Sequence, residues 1–243
     1  MTARIEILAD EEALARRVAA GLLGAANGTE GDFAIVLSGG STPRRLYELL
    51  ARAPYREAIP WHRTHVFWGD ERFVPKNDAR SNYRMAAEAL LSHVPIAASN
   101  VHPVPTEGTA PADAAFAYDR TLKSYYGAKE LDPARPLFDV TLLGLGEDGH
   151  MASLFPHSRA LEERDRWVVA VTDAGPEPRI SLTYPVLESS RHVLFLVAGK
   201  AKRAILERVL RGDQDVPAAR LRPTGSLLWL ADEAAAGGLR PRA

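Results

Sequence analysis

Asp148 and His150 stand two residues apart in the run Gly144-Leu145-Gly146-Glu147-Asp148-Gly149-His150. A carboxylate beside an imidazole fixes its tautomer and raises its basicity, which suits general acid–base work. Three glycines within six residues let the backbone turn tightly and approach a ligand. A bent turn can therefore aim both side chains at one pocket. Taken alone, Asp-Gly-His is also an ordinary turn, and a histidine is often just a satisfied polar residue. The surroundings shift the balance towards function. The apolar run Phe138–Leu143 just before the turn reads as a buried strand. That places the pair at the carboxyl end of a sheet, where open α/β sheets bind ligands. Met151–Leu154 is expected to open a short helix that Pro156 ends.

A second strand-to-turn junction has a different chemistry. Phe33-Ala34-Ile35-Val36-Leu37 is continuous and apolar, as a buried parallel strand should be. It runs into Ser38-Gly39-Gly40-Ser41-Thr42-Pro43. Thr42 is expected to cap a helix whose first residue is Pro43. Leu46, Leu49 and Leu50 continue that helix as an apolar stripe. The positive helix end, its free N–H groups and the hydroxyls of Ser38, Ser41 and Thr42 suit an anion such as phosphate. An ordinary βα turn would need neither two glycines nor three hydroxyls. The spacing is neither a dinucleotide fingerprint nor a Walker loop, so NAD and ATP are disfavoured.

The remaining elements follow from periodicity. A short strand is expected at Ile5–Leu8. Asp10 then caps a helix with Leu14, Val18 and Leu22 on one face, stopped by Asn27-Gly28. Thr64–Trp68 reads as a strand ending in Gly69-Asp70-Glu71-Arg72; such charged runs are most often solvated. Ser81-Asn82 precedes a helix with Met85, Ala89 and Leu90 inward. A helix over Ala112–Tyr125 should bury Phe116, Leu122 and Tyr126. Trp167–Val171 and His192–Val197 read as strands, with Pro176-Glu177-Pro178-Arg179 turning between them. Gly199-Lys200-Ala201-Lys202 opens a helix carrying Ile205, Val209 and Leu210. Cations are unfavourable at a helix start, so a nearby anion would explain these lysines. Leu227–Leu230 is a last short strand, and the polar tail after Ala231 is expected to fray. Strand and helix alternate throughout, which argues for a mainly parallel sheet flanked by helices on both faces.

Composition narrows the class. The 243 residues carry a net charge of −1 and 46% hydrophobic residues. That length allows one large α/β domain or two small ones, of which a single domain spanning 1–243 is expected, with no strong field to attract nucleic acid or an anionic membrane. There is no cysteine, so disulfides, thiolate metal sites and a cysteine nucleophile are excluded. No apolar run approaches a membrane span, and Met1-Thr2-Ala3-Arg4-Ile5-Glu6 has no signal core. Both fit a cytoplasmic protein. His62-x-x-His65 is more simply incidental than a metal site, and no convincing ligand cluster is present.

The motif set as a whole resembles the 6-phosphogluconolactonases. The resemblance is carried by Ser38–Pro43, Trp68–Pro75, Ser81-Asn82-Tyr83 and Gly144–Pro156, with similarity at Pro178–Thr183 and Gly199–Lys202. It runs from about Phe33 to Leu210. It implies a modified Rossmann-like α/β fold, as in glucosamine-6-phosphate deaminase. It also implies hydrolysis of 6-phospho-D-glucono-1,5-lactone in the oxidative pentose phosphate pathway, with no cofactor and no metal. By motif position, His150 would be the general base and Asp148 its orienting partner. Arg72 and Arg179 would stabilise anionic charge on the substrate or the tetrahedral intermediate. Ser38, Gly39, Gly40, Ser41, Thr42 and Lys202 would hold the 6-phosphate. The related deaminases typically carry Ile-Ala-Phe-Asn-Glu-Pro after the histidine, and Asp-Glu-Tyr where this chain has Asp70-Glu71-Arg72. Here Phe155 takes the place of that glutamate. A sugar-phosphate sensor would need a DNA-binding module, for which the segment before Phe33 is too small.

Overall fold

A computed structural model describes residues 4–239. The strands are β1 (Arg4–Leu8), β2 (Phe33–Leu37), β3 (Thr64–Trp68), β4 (Asp70–Arg72), β5 (Phe138–Gly144), β6 (Val168–Val171), β7 (Arg179–Leu182), β8 (Ser190–Val197) and β9 (Ser226–Asp232). The helices are α1 (Glu11–Gly28), α2 (Ser41–Leu50), α3 (Tyr55–Ala58), α4 (Asn82–Ala89), α5 (Pro111–Tyr126), α6 (Tyr184–Glu188), α7 (Arg203–Leu210), α8 (Pro217–Arg220) and α9 (Glu233–Ala236).

Six strands form a parallel sheet in the order β1-β9-β8-β5-β2-β3. All five residues of β2 are buried. That fits a strand covered on both faces, and explains why its sequence does not alternate. The order decides where a ligand can sit. β2 leads through α2 and α3 to β3 on one side, whereas β5 leads to β8 on the other. The adjacent strands β2 and β5, paired through Ile35↔Val140 and Val36↔Thr141, thus send their following loops apart. The crevice left between them is a topological switch point, the usual ligand site of open α/β sheets.

A second, three-stranded antiparallel sheet, β4-β7-β6, stands beside this edge. Of its strands only β6 is legible in the sequence, as Trp167–Val171, and nothing in the periodicity sets it in a separate antiparallel sheet. Gly69 joins the two sheets: its N–H donates to Leu37 O at 3.0 Å, and its carbonyl accepts from Leu182 N at 2.9 Å. The charged run that follows is not solvated, since Asp70 and Glu71 are 7% and 2% exposed.

Four further expectations are corrected. α2 begins at Ser41 after Gly40 (φ +108°), and no side chain caps it, so Thr42 is inside the helix rather than at its cap. Met151–Leu154 is a turn closed by a Met151–Leu154 bridge, with Ala152 at φ +47°, not a helix. Phe116 is 65% exposed, because α5 turns the face bearing Ala115, Tyr118, Leu122 and Tyr126 inward. The chain after Ala231 does not fray at once: Asp232 ends β9 and caps α9. Residues 1–3 and 240–243, which include part of the N-terminal stretch read for a signal and the end of the tail, lie outside the described residues.

His65 pairs with His102 rather than His62. Its Nδ1 lies 3.0 Å from His102 Nε2, with the rings stacked. Burial pushes both imidazoles down, His102 to about 4. The folded state therefore binds fewer protons than the unfolded chain between the ordinary histidine range and about pH 4. Stability from this pair is complete above that range and falls as pH drops through it. His102→Gln should flatten the fall in melting temperature between pH 7 and pH 5 relative to the wild type. Parallel melting curves would disprove the coupling.

Candidate active site

The loops after β2 and β5 form the rim of a cavity of about 530 Å³. Ser38, Gly39, Gly40, Ser41 and Thr42 line it from the first loop, and Asp148 and His150 from the second. Arg72 enters from β4, Arg179 from β7, and Lys202 from the turn before α7. All ten residues singled out from the sequence thus line one cavity, although they lie up to 164 positions apart (202 − 38). Asn82, Glu147 and Asp70 line it as well. Their signal in the sequence was no more than proximity to a motif.

The β5 loop is built to present a histidine. Gly146 N donates to His150 O at 2.8 Å, and Gly149 N to Gly146 O at 3.0 Å, which closes a tight turn. Gly149 has φ +88°, and a Cβ there would come within 2.4 Å of Val216, so the turn both needs glycine's conformation and packs against its support. Asp148 Oδ1 accepts from His150 N at 3.1 Å and lies 2.5 Å from its Nδ1. A carboxylate only accepts, so Nδ1 carries the proton and the Nε2 lone pair is left to act as base. Burial opposes the charge on Asp148, but the hydrogen bonds from His150 outweigh it and hold the carboxyl below its usual range. The Phe155 ring lies 4.3 Å from the imidazole, centroid to centroid, and 5.1 Å from the Arg179 guanidinium carbon.

The two arginines are direct cross-strand partners, Arg72↔Arg179. Like charges so placed are unfavourable by themselves. Each Nε is also buried with no hydrogen-bond partner within the protein, a costly state for a charged donor. An anion between or beside them would relieve both penalties. Arg72 is held from behind, as its Nη1 donates to Arg80 O at 2.6 Å. Arg80 in turn is paired with Asp78 at 2.8 Å and with Glu177.

Asp70 and Glu71, in the strand beneath, are structural. Glu71 accepts from the backbone N–H groups of Arg72, Asn82 and Tyr83 at 2.8, 2.8 and 2.7 Å, and from Ser81 Oγ at 3.1 Å. Burial nonetheless pushes its carboxyl up. Asp70 Oδ2 accepts from Ser153 Oγ at 2.5 Å, tying β4 to the segment after His150. Asn82 Nδ2 donates to Asp70 O at 2.9 Å. The Asn82 amide fills the place of a Gly39 side chain: a Cβ there would lie 2.0 Å from its Oδ1. Gly39 therefore lets the β2 loop close on α4. The N-terminus of α2, uncapped by any side chain, brings Ser41 and Thr42 to the cavity. Among the described residues, no cluster of three or more His, Asp or Glu side chains is placed to hold a metal ion.

The family model described as glucosamine-6-phosphate isomerases/6-phosphogluconolactonase matches residues 9–229. The chain belongs to this family. A Synechocystis protein named 6-phosphogluconolactonase is 43% identical over 215 residues, covering 87% of this chain and 86% of its own. The solved 6-phosphogluconolactonase of Thermotoga maritima is 31% identical with a TM-score of 0.81, covering 95% of this chain and 99% of its own. A monomeric glucosamine-6-phosphate deaminase superposes with the same TM-score of 0.81 at 20% identity, covering 98% of this chain and all of its own. At that identity the likeness is one of fold. The mainly parallel sheet flanked by helices is thus a fold shared with the solved 6-phosphogluconolactonase and with the deaminase.

Proposed function

We propose that the chain hydrolyses 6-phospho-D-glucono-1,5-lactone to 6-phospho-D-gluconate, the lactonase step of the oxidative pentose phosphate pathway. The observation that carries this reading is the Asp148–His150 pair facing the same cavity as two arginines with unsatisfied Nε groups. His150 Nε2 takes a proton from water as the water oxygen attacks the lactone carbonyl carbon. The carbonyl oxygen becomes an oxyanion, which Arg72 and Arg179 stabilise. Collapse of the tetrahedral intermediate breaks the bond to the ring oxygen, which leaves with the proton from His150. The ring opens to a carboxylic acid that ionises at neutral pH. Asp148 keeps the imidazole in the right tautomer and balances its transient charge.

The phosphate is held by the Ser38–Thr42 loop with its helix end and by Lys202, which line the same cavity. A lactone carbonyl is already electrophilic, so the scheme uses neither metal nor cofactor. Its partner is a small sugar-phosphate lactone rather than nucleic acid or membrane. Among the described residues no helix is long and apolar enough to cross a membrane, and we assign the enzyme to the cytoplasm.

The test is lactone decay, with the substrate generated in situ and the spontaneous rate subtracted. The protein should accelerate decay and release no ammonia from glucosamine 6-phosphate. Rapid ammonia release without lactone turnover would make it a deaminase instead. Ligand binding without any turnover would make it a sensor.

A further inference from the structure

The last strand and helix reach the cavity through one buried carboxylate. Asp232 is 7% exposed, and its hydrogen-bond donors are backbone N–H groups. Oδ1 accepts from Ala235 N at 2.7 Å, the ordinary duty of a helix N-cap. Both oxygens also lie 3.0 Å from Gly199 N. A cap alone has no need of that second donor. Gly199 has φ +92°, and its carbonyl accepts from Lys202 N at 3.0 Å. A short chain of hydrogen bonds thus runs from Asp232 through Gly199 to Lys202, which lines the cavity.

The register supports the same connection. Val197 of β8 pairs with Ala231 of β9. Asp232 is therefore placed where β8 ends and the chain turns towards Lys202. A second contact locks the two segments together. Gly237, at φ +59°, leaves room for Arg203, whose Nε would lie 1.5 Å from a Cβ there. The residue after Lys202 is thus packed against the end of α9.

We propose that Asp232 is a positioning residue for the substrate's phosphate, acting through Gly199 on Lys202. The inference rests on the reading above that Lys202 holds that phosphate. A backbone-chelating carboxylate fixes the turn without neutralising the lysine, since it offers its charge to N–H groups. The Lys202 backbone is then fixed before substrate arrives, so that its side chain extends from a set point at the cavity rim and less backbone has to be ordered on binding.

Asp232→Ser separates the two duties. Serine remains a good N-cap for Ala235, but its single, shorter oxygen does not reach Gly199. Asp232→Asn keeps the reach and an acceptor. Steady-state lactonase kinetics, calorimetric binding of 6-phospho-D-gluconate and melting temperature would be measured for both. Lys202→Ala and the Asp232→Ser/Lys202→Ala double variant would be measured alongside. We expect Asp232→Ser to raise KM and the product Kd by roughly tenfold, the scale of a hydrogen bond to a charged group, with kcat within twofold. Asp232→Asn should restore most of the affinity. In the double variant, Asp232→Ser should add little to the loss from Lys202→Ala, because both act on one contact. Wild-type KM in Asp232→Ser would overturn the inference, and so would a loss fully additive with Lys202→Ala. If Lys202→Ala itself left KM and Kd unchanged, the phosphate assignment of Lys202 would fall, and this inference with it. If Asp232→Ser does not fold, Asp232→Thr takes its place, since threonine also caps a helix and its single oxygen is equally short of Gly199: wild-type KM, or a loss fully additive with that of Lys202→Ala, would overturn the inference, and a raised KM with non-additive losses would support it.

Discussion

His150→Ala should lower kcat for lactone hydrolysis by about 10²–10⁴-fold, the usual worth of a positioned general base. Affinity for 6-phospho-D-gluconate should change little, because the proposed phosphate contacts come from the Ser38–Thr42 loop and from the turn before α7, not from the β5 loop. The substitution removes a partly exposed ring whose polar contacts lie within its own turn, so the fold should tolerate it. Asp148→Asn should follow the same pattern. An amide can donate to Nδ1 and select the wrong tautomer, and it offers no charge to the imidazolium. The uncatalysed decay of the lactone sets the floor and must be subtracted at each substrate concentration. If His150→Ala retains kcat within threefold, His150 is not the base. Equal losses in kcat and product affinity would make it a binding or folding residue.

Gly146→Ala should be nearly as damaging, although Gly146 carries no reactive side chain. A Cβ on Gly146 would lie 2.0 Å from His150 Nδ1, 2.3 Å from its Cε1 and 2.6 Å from Asp148 Oδ1. Such separations do not persist, and what must yield is the pair of side chains rather than the backbone. The methyl therefore takes the space in which the carboxylate meets the imidazole. We expect kcat to fall by about 10²-fold or more. The melting temperature should fall by no more than about 4 °C, which in a protein of this size corresponds to roughly 1–2 kcal/mol. Gly24→Ala supplies the contrast. Gly24 lies inside α1 with nothing within 4 Å of a new Cβ, so the change should stabilise by about 0.5–1 kcal/mol and leave kcat alone. A Gly146→Ala protein with wild-type kcat would show that the pair tolerates displacement, and the proposed role of its geometry would fail.

The sequence was most legible where a local rule suffices. β2, β3 and β8 follow from apolar, β-branched runs, and α1 from its four-residue spacing and Asp10 cap. The glycine turns after β2 and β5 are local too, since a polar motif just past a buried strand falls at a sheet's carboxyl edge wherever that strand lies. What failed were statements about surroundings. Asp70 and Glu71 look like a solvated run because charge normally seeks water. They are buried because three backbone N–H groups and two serine hydroxyls supply their hydrogen bonds, all but that of the adjacent Arg72 from residues 10 to 83 positions away. Phe116 was assigned to the core on hydrophobicity, and only the packed face of α5 shows that it points away. The tail after Ala231 looked free because nothing nearby in sequence needs it; its partner, Gly199, is 33 residues upstream.

By itself, then, the sequence determined the class of fold, the strand-end loops and the residue types able to move a proton and hold a phosphate. Those depend on periodicity, turn chemistry and spacing, all of which act within a few residues. Tertiary structure alone decided that β2 lies next to β5, so that the Ser38–Thr42 loop and the Asp148–His150 turn share one crevice. It also decided that a second sheet sets Arg72 opposite Arg179, and that Asp232 reaches Gly199. Strand order and long-range pairing come from burying many apolar faces at once. No short stretch of sequence carries that information, because each strand's pattern is compatible with several neighbours.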